Sequence, residues 1–204
     1  MSVKTIVIFI VVTLGILVGV GGLLWQFERT SEKPIADIAG EMRHKQGEGS
    51  IVVTEFSDFQ CPGCREVNAP LKEIMNQYQG KVQLAYRYFP LTNIHKNAQV
   101  SAQAAEAAGI QGKFWEMHDV LFKRQSEWEG LPSPMDKFVE YAKELGIDEQ
   151  KFVSDMESQT TKDIIAQDVL AATKYRLVGT PSFFVDGVAV EFGKLGVKLA
   201  EIAK

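Results

Sequence analysis

Three kinds of apolar spacing follow one another along the chain. Thr5 to Trp25 (TIVIFIVVTLGILVGVGGLLW) is an unbroken uncharged run. At about 1.5 Å of rise per residue it is long enough for a hydrocarbon core of roughly 30 Å, which predicts a membrane-spanning helix. Short strand-like runs come next: Ile51 to Phe56 (IVVTEF), β-branched and apolar, and Val82 to Phe89 (VQLAYRYF), with three aromatics, read as strands. Between them Val67, Leu71, Ile74, Met75 and Tyr78 recur at helical spacing, with Pro70 predicting a kink in the turn before it. From His95 to about Arg176 the spacing is helical throughout. An Ala-rich segment ends near Gly109, a second helix carries Phe114, Met117 and Leu121, and a third carries Phe138, Tyr141, Ala142 and Leu145; others lie around Phe152 and around Ile165, Val169 and Ala172. Ser182 to Val185, the turn dipeptide Asp186-Gly187, and Val188 to Phe192 predict a hairpin of type I′. Leu195, Leu199 and Ile202 mark a last amphipathic helix.

The order strand, helix, strand, helical insert, hairpin, helix predicts an α/β domain over residues 50–204 with a helical insertion at about 95–176. Residues 26–49 read as a tether, with Ser31, Pro34, Gly40, Gly47 and Gly49 among mixed charges, and a short helix around Ile35 to Met42 as one option within it. Lys4 and the terminal amine precede the apolar run, while Glu28, Arg29, Glu32 and Lys33 after it cancel. The positive-inside rule then places residues 1–4 in the cytoplasm, 5–25 in the membrane as a single-pass signal-anchor, and the rest on the extracytoplasmic side. A cleaved signal peptide is the competing reading, but its apolar core runs to only about 7 to 15 residues. No cysteine lies near the span, so a lipid-modified cysteine anchor is excluded.

Composition changes this picture little. The 204 residues, 46% hydrophobic and 24% charged, suit one globular domain with a core. A net charge of −4 without a Lys/Arg cluster argues against a nucleic-acid surface.

The chemistry is concentrated in FSDFQCPGCREVNAP, Phe56 to Pro70, which holds both cysteines of the chain. With Cys61 as N-cap, Pro62 occupies the first helical position, where its missing N–H costs nothing, and the N–H groups of Gly63 and Cys64 are free to meet a thiolate. The helix macrodipole adds roughly half a positive charge there. Cys61 is therefore expected to have a lowered pKa and to be the attacked or attacking sulfur, and Cys64 to point inward as the resolving thiol. Gly63 leaves the approach open to polypeptide substrates. Two other readings compete. A structural disulfide across two residues closes too short a loop to stabilise much. A zinc site needs two more ligands, and His44, His95 and His118 are scattered; no metal is expected. Glu55, six positions before Cys61 in an apolar strand, is either a buried carboxyl that titrates or a strand-end glutamate in water. The Phe114, Trp115, Met117 and His118 cluster reads as helix core, His95 as a helix-start residue, and Trp128 with Leu131 as a possible groove lining.

Over roughly Ser50 to Lys204 the chain resembles the DsbA family of thiol-disulfide oxidoreductases, and within it the membrane-tethered BdbD type. EFSDFQCPGC, the YFPL strand end, QGKFWEMHDVLF and VGTPSFFVDG carry the likeness. It implies a thioredoxin fold with an inserted helical domain and a redox-active Cys61-Cys64 pair. It further implies a proton relay at Glu55, and a cis-proline loop at Thr180-Pro181 facing the cysteines and, with Pro62 and Gly63, meeting substrate. One departure stands out: DsbA has Pro-His between its cysteines, where this chain has Pro62-Gly63. The implied function is an oxidase that introduces disulfides into exported proteins with free thiols, with no bound cofactor. Reoxidation would fall to a quinone-linked membrane thiol oxidase of the DsbB or vitamin K epoxide reductase type. A reductase or isomerase of exported proteins, and a non-catalytic peptide-binding module, are the alternatives.

Overall fold

The computed structural model describes residue 35 and residues 37–204. The membrane span read over Thr5 to Trp25 lies outside the described residues. Among the described residues no helix is long and apolar enough to cross a membrane.

Five strands form one sheet: β1 (His44–Gly47), β2 (Ile51–Ser57), β3 (Val82–Tyr88), β4 (Ser182–Val185) and β5 (Val188–Val190), in spatial order β1-β3-β2-β4-β5. Strands β2 and β3 are parallel, joined by helix α1 (Pro62–Gln77), and the other pairings are antiparallel. Between β3 and β4 lie α2 (Ala98–Ile110), α3 (Phe114–Lys123), the short α4 (Gln125–Trp128), α5 (Met135–Glu144), α6 (Glu149–Glu157) and α7 (Gln159–Lys174); α8 (Phe192–Ile202) ends the chain. This is the α/β sheet with an all-helical insertion that the element order predicts, in the thioredoxin-type arrangement that the resemblance implies.

Strand β2 is central, so both of its faces are covered and its sequence is an apolar run instead of an alternation. On one face Val53 packs with Leu71 of α1, Leu84, and Leu195 and Leu199 of α8. On the other Phe56 packs with Phe184, Ala172 and Ile38. The insertion has its own core around Phe122, Trp128, Phe138, Tyr141 and Phe152, continuous with Cys64 and Tyr86. In the hairpin turn Asp186 and Gly187 both take positive φ, 48° and 83°, as type I′ requires. Helix α1 runs on through Pro70 as one element.

Two expectations are corrected. Residues 44–47, assigned to the tether, form the edge strand β1, and Ile38 is a buried core residue, so the described part of that stretch belongs to the domain. The signal was weak because β1 is polar (HKQG) and is held by backbone pairing to β3. Where the sequence allows a short helix at Ile35 to Met42, residues 37–41 form turns, secured where Arg87 donates to the Ile38 carbonyl at 3.0 Å. Gly49 shows why the return into β2 is possible: a Cβ there would collide with the Lys81 carbonyl carbon. The second correction is Trp128. It is fully buried with its indole N–H donating to Leu121 O at 3.0 Å, so it fills the core and lines no groove.

Candidate active site

The end of β2 delivers the chain across a short loop into α1, and the cysteines sit at that junction. Cys61 is the N-cap of α1, with extended backbone (φ −70°, ψ 123°), and Pro62 follows inside the first turn. Pro fits there because no intrahelical donor is lost. Cys64, one turn on, faces inward and is fully buried, whereas Cys61 keeps 8% of its surface exposed. Both are free thiols.

The loop before β4 closes over them. As a thiol, Cys61 donates to the Thr180 carbonyl oxygen at 3.5 Å. The Thr180-Pro181 bond is cis. A Cβ added to Gly63 would sit 3.5 Å from Pro181 Cδ and 3.7 Å from Cys61 Sγ, so Gly63, Pro181 and the Cys61 sulfur share one small volume at the surface.

Electrostatics divides the two thiols. Cys61 is pushed down from 9.0 to about 5, first by the Cys64 thiol donating to it and then by Thr180 and the backbone N–H groups of Cys64 and Gly63, against the opposing pull of desolvation. The sequence points to the helix end as the cause; in the folded protein the second cysteine ranks above it. Cys64 is pushed far up, by burial first and by its donation to Cys61 next. One sulfur is thus an anion at neutral pH and the other holds its proton.

Glu55 is buried at 2% exposure, which rejects the water-exposed alternative. It shares a face of β2 with Val53, is paired in register with Tyr86, and is raised from 4.5 to about 7 by desolvation.

Asp58 carries a role that the sequence does not announce. Its fully buried carboxylate accepts from the Gln60 N–H at 2.8 Å, the Leu91 N–H at 2.9 Å and His95 Nδ1 at 2.7 Å. His95 is therefore a clamp on the cysteine loop and not a helix-start residue. Gln60 accepts from Asn97 N at 2.7 Å, and Gln125 Nε2 donates to Phe59 O and Cys61 O at 2.7 and 3.2 Å, tying the same loop to the helical insertion. The available clue was an Asp in a strand-to-helix connection, where its side chain commonly accepts the N–H two residues on. Asp58→Ala leaves His95 and two loop N–H groups without their acceptor. It is expected to cost about 3 kcal/mol or more of stability in denaturant unfolding, as for other broken buried pairs.

Phe114, Met117 and His118 are core residues of α3, as their spacing indicates. Among the described residues no group of three or more His, Cys, Asp or Glu could hold a metal.

Comparison with known proteins meets this geometry. The family model described as thioredoxin matches residues 44–194. The chain belongs to the thioredoxin family. Its fold, a sheet of this type with a helical insertion, is shared with solved oxidoreductases of that family. A thioredoxin-like oxidoreductase from Silicibacter pomeroyi superposes with a TM-score of 0.67 at 29% identity, over 82% of this chain and 97% of that one. Oxidised BdbD from Bacillus subtilis superposes with a TM-score of 0.70 at 20% identity, over 83% and 94%. Among curated sequences, the Na(+)/H(+) antiporter NhaA 3 of Salinispora tropica is 40% identical over 140 residues, 69% of this chain and 21% of the antiporter. The chain thus spans about a fifth of the length of the curated relatives it matches. For a thioredoxin-family site, the Gly63 of this chain leaves Cys61 without an imidazole neighbour in the dipeptide, and the lowered thiol pKa arises without one.

Proposed function

We propose that this protein is an extracytoplasmic thiol-disulfide oxidase, held at the cell membrane by a single N-terminal span, that passes the Cys61-Cys64 disulfide to exported proteins with free thiols. The observation that carries the reading is the division of labour between the sulfurs: a thiolate at a helix cap that keeps a small exposed surface, and a fully buried thiol behind it. In the forward step a substrate thiolate attacks Cys61. The Cys61–Cys64 bond breaks, Cys64 leaves with the electron pair and takes up a proton, and a Cys61–substrate disulfide forms. A second substrate thiolate then attacks the substrate sulfur of that mixed disulfide, and Cys61 leaves as a thiolate. Two electrons have moved from substrate to enzyme. Because a low thiol pKa stabilises the reduced pair, it makes the disulfide the stronger oxidant.

The carbonyl of Thr180 beside the sulfur is suited to an extended substrate segment, which can add to it as a strand would. Exposed Val178, two residues before Thr180, and exposed Ile94, next to His95, offer apolar contact to an unfolded chain. Pro62 and Gly63 keep that approach free of bulk. Return to the disulfide form calls for an oxidising partner, and a quinone-linked membrane thiol oxidase of the DsbB or vitamin K epoxide reductase type would supply it.

The reduction potential of the Cys61-Cys64 couple in the full chain, equilibrated against glutathione, tests the direction. A value near −120 mV is expected for an oxidase, whereas one near −270 mV, thioredoxin's range, would reverse the electron flow and make the protein a reductase.

A further inference from the structure

Cys64 has to gain or lose a proton in every cycle, yet it has no exposed surface through which to exchange with solvent. Glu55, raised into the neutral range, is the obvious reservoir. The Ser57 hydroxyl neighbours both. It lies two residues beyond Glu55 on β2 and so on the same face of the strand. In register, Glu55 faces Tyr86 and Ser57 faces Tyr88 on β3, and both tyrosines share one buried cluster with Cys64. Ser57 is 1% exposed and Tyr86 2%; Ser57 Oγ and Tyr86 Oη are both buried with no hydrogen-bond partner among the described residues. Buried hydroxyls are nearly always satisfied, so two idle ones beside a reacting sulfur call for a reason. The Ser57 hydroxyl is near enough to Cys64, Glu55 and Tyr86 to favour the anion of each, yet in the dithiol form it is engaged by none of them.

We propose that the Ser57 hydroxyl passes the proton between Cys64 and Glu55, with the Tyr86 hydroxyl supporting it from the neighbouring strand. This rests on the exchange reading of the Cys61-Cys64 pair. A hydroxyl donates and accepts at once and rotates freely, which a relay needs and an ordinary structural bond does not. When a substrate thiolate breaks the Cys61–Cys64 bond, Cys64 departs as a thiolate. Ser57 gives it the O–H proton and takes one from the protonated Glu55 carboxyl, so one proton moves and Ser57 is unchanged. In the reverse direction Cys64 gives its proton through Ser57 to the Glu55 carboxylate. The Cys64 thiolate then attacks Cys61 in the mixed disulfide, and the substrate thiolate leaves.

Several other polar groups border this space. Asp58 is held by Gln60, Leu91 and His95. His118, whose ring lies edge-on to Tyr86, makes its Nδ1 contact with Asp119 and has a buried Nε2 with no partner among the described residues, but burial disfavours its charged form; Cys61 is bonded to Thr180 O. The Thr180 hydroxyl is also buried and without a partner among the described residues, but it acts on the two sulfurs and not on the carboxyl.

The test is rapid mixing of the reduced full chain, in detergent, with glutathione disulfide between pH 5 and 9. Acid quench and mass analysis separate formation of the Cys61–glutathione adduct from its resolution by Cys64. Ser57→Ala is expected to slow resolution at pH 7 by tenfold or more, the scale at which positioned proton transfer contributes, and to replace any plateau by a steady rise with pH. Adduct formation at Cys61 should stay as in the parent protein, and Ser57→Thr should restore both rate and profile. Ser57→Gly, which removes the hydroxyl without filling space, gives the same readout if the alanine variant folds poorly. Resolution at the parent rate with the parent pH profile in the hydroxyl-less variants would overturn the relay. An unsubstituted chain that forms no adduct would overturn the exchange reading itself, a different and separately visible failure.

Discussion

Cys61→Ser is expected to abolish thiol-disulfide exchange, whereas Cys64→Ala should react once with substrate and remain joined to it. The asymmetry follows from exposure and charge: Cys61 alone reaches the surface, and Cys64, fully buried, acts only on a sulfur already bound to Cys61. In the Cys64→Ala protein the adduct should persist through denaturing gel electrophoresis without reductant and disappear when reductant is added. The pH dependence of Cys61 alkylation carries the same argument further. With its pKa lowered from 9.0 to about 5, Cys61 in the parent protein should label with iodoacetamide along a curve centred near pH 5. The midpoint is the quantity to measure, not the rate at pH 7. A drop of about four units raises the thiolate fraction roughly a hundredfold at neutrality but, with a Brønsted slope of about 0.4–0.5, lowers intrinsic nucleophilicity by nearly as much. The two effects almost cancel there and diverge below pH 6. Because the Cys64 thiol is the leading cause of the shift, Cys64→Ala should move the midpoint upward, leaving the smaller effects of Thr180 and the helix N–H groups. A parent midpoint at or above that of a free thiol would contradict the mechanism.

The second large effect belongs to Glu55. Its folded pKa, about 7 against 4.5 unfolded, means that the folded state resists ionisation. The stability associated with the protonated carboxyl is fully present below pH 4.5 and is lost as pH rises through 7. By linkage the total is on the order of 3 kcal/mol. Cys61 works with the opposite sign. Its depressed pKa contributes stability that is present above about pH 9 and lost as pH falls through 5, so in the dithiol form the two trends oppose each other between pH 5 and 7. The comparison is therefore cleanest in a Cys61→Ala background. There Glu55→Gln should flatten the decline in urea-unfolding stability and leave the variant the more stable protein above pH 7. Equal slopes in the two proteins would mean that Glu55 ionises freely in the fold.

These expectations draw on the sequence and the structure to different degrees. The apolar runs at 51–56 and 82–89, the helical spacing from 95 to 176 and the Asp186-Gly187 turn were enough to predict the sheet and its insertion, because strand and helix periodicity are local properties. The Cys61-Pro62-Gly63-Cys64 junction was legible for the same reason: N-cap chemistry needs only a few neighbouring residues. Strand β1 was not legible, since HKQG has no hydrophobic pattern and is held by pairing to β3, nearly forty residues away. Nor could local pattern decide the burial of Glu55, which depends on the strands flanking β2 and on the helical layer. Trp128 looked like a loop residue until the packing of α4 placed it inside. Most of the active site's tuning is likewise non-local. The Thr180 carbonyl reaches Cys61 across 119 residues, and His95 reaches Asp58 across 37. The chain alone determined which atoms are reactive. Their burial, hydrogen-bond partners and pKa shifts were decided by tertiary structure, because desolvation and hydrogen bonding depend on what lies within a few ångströms in space, whatever the separation along the chain.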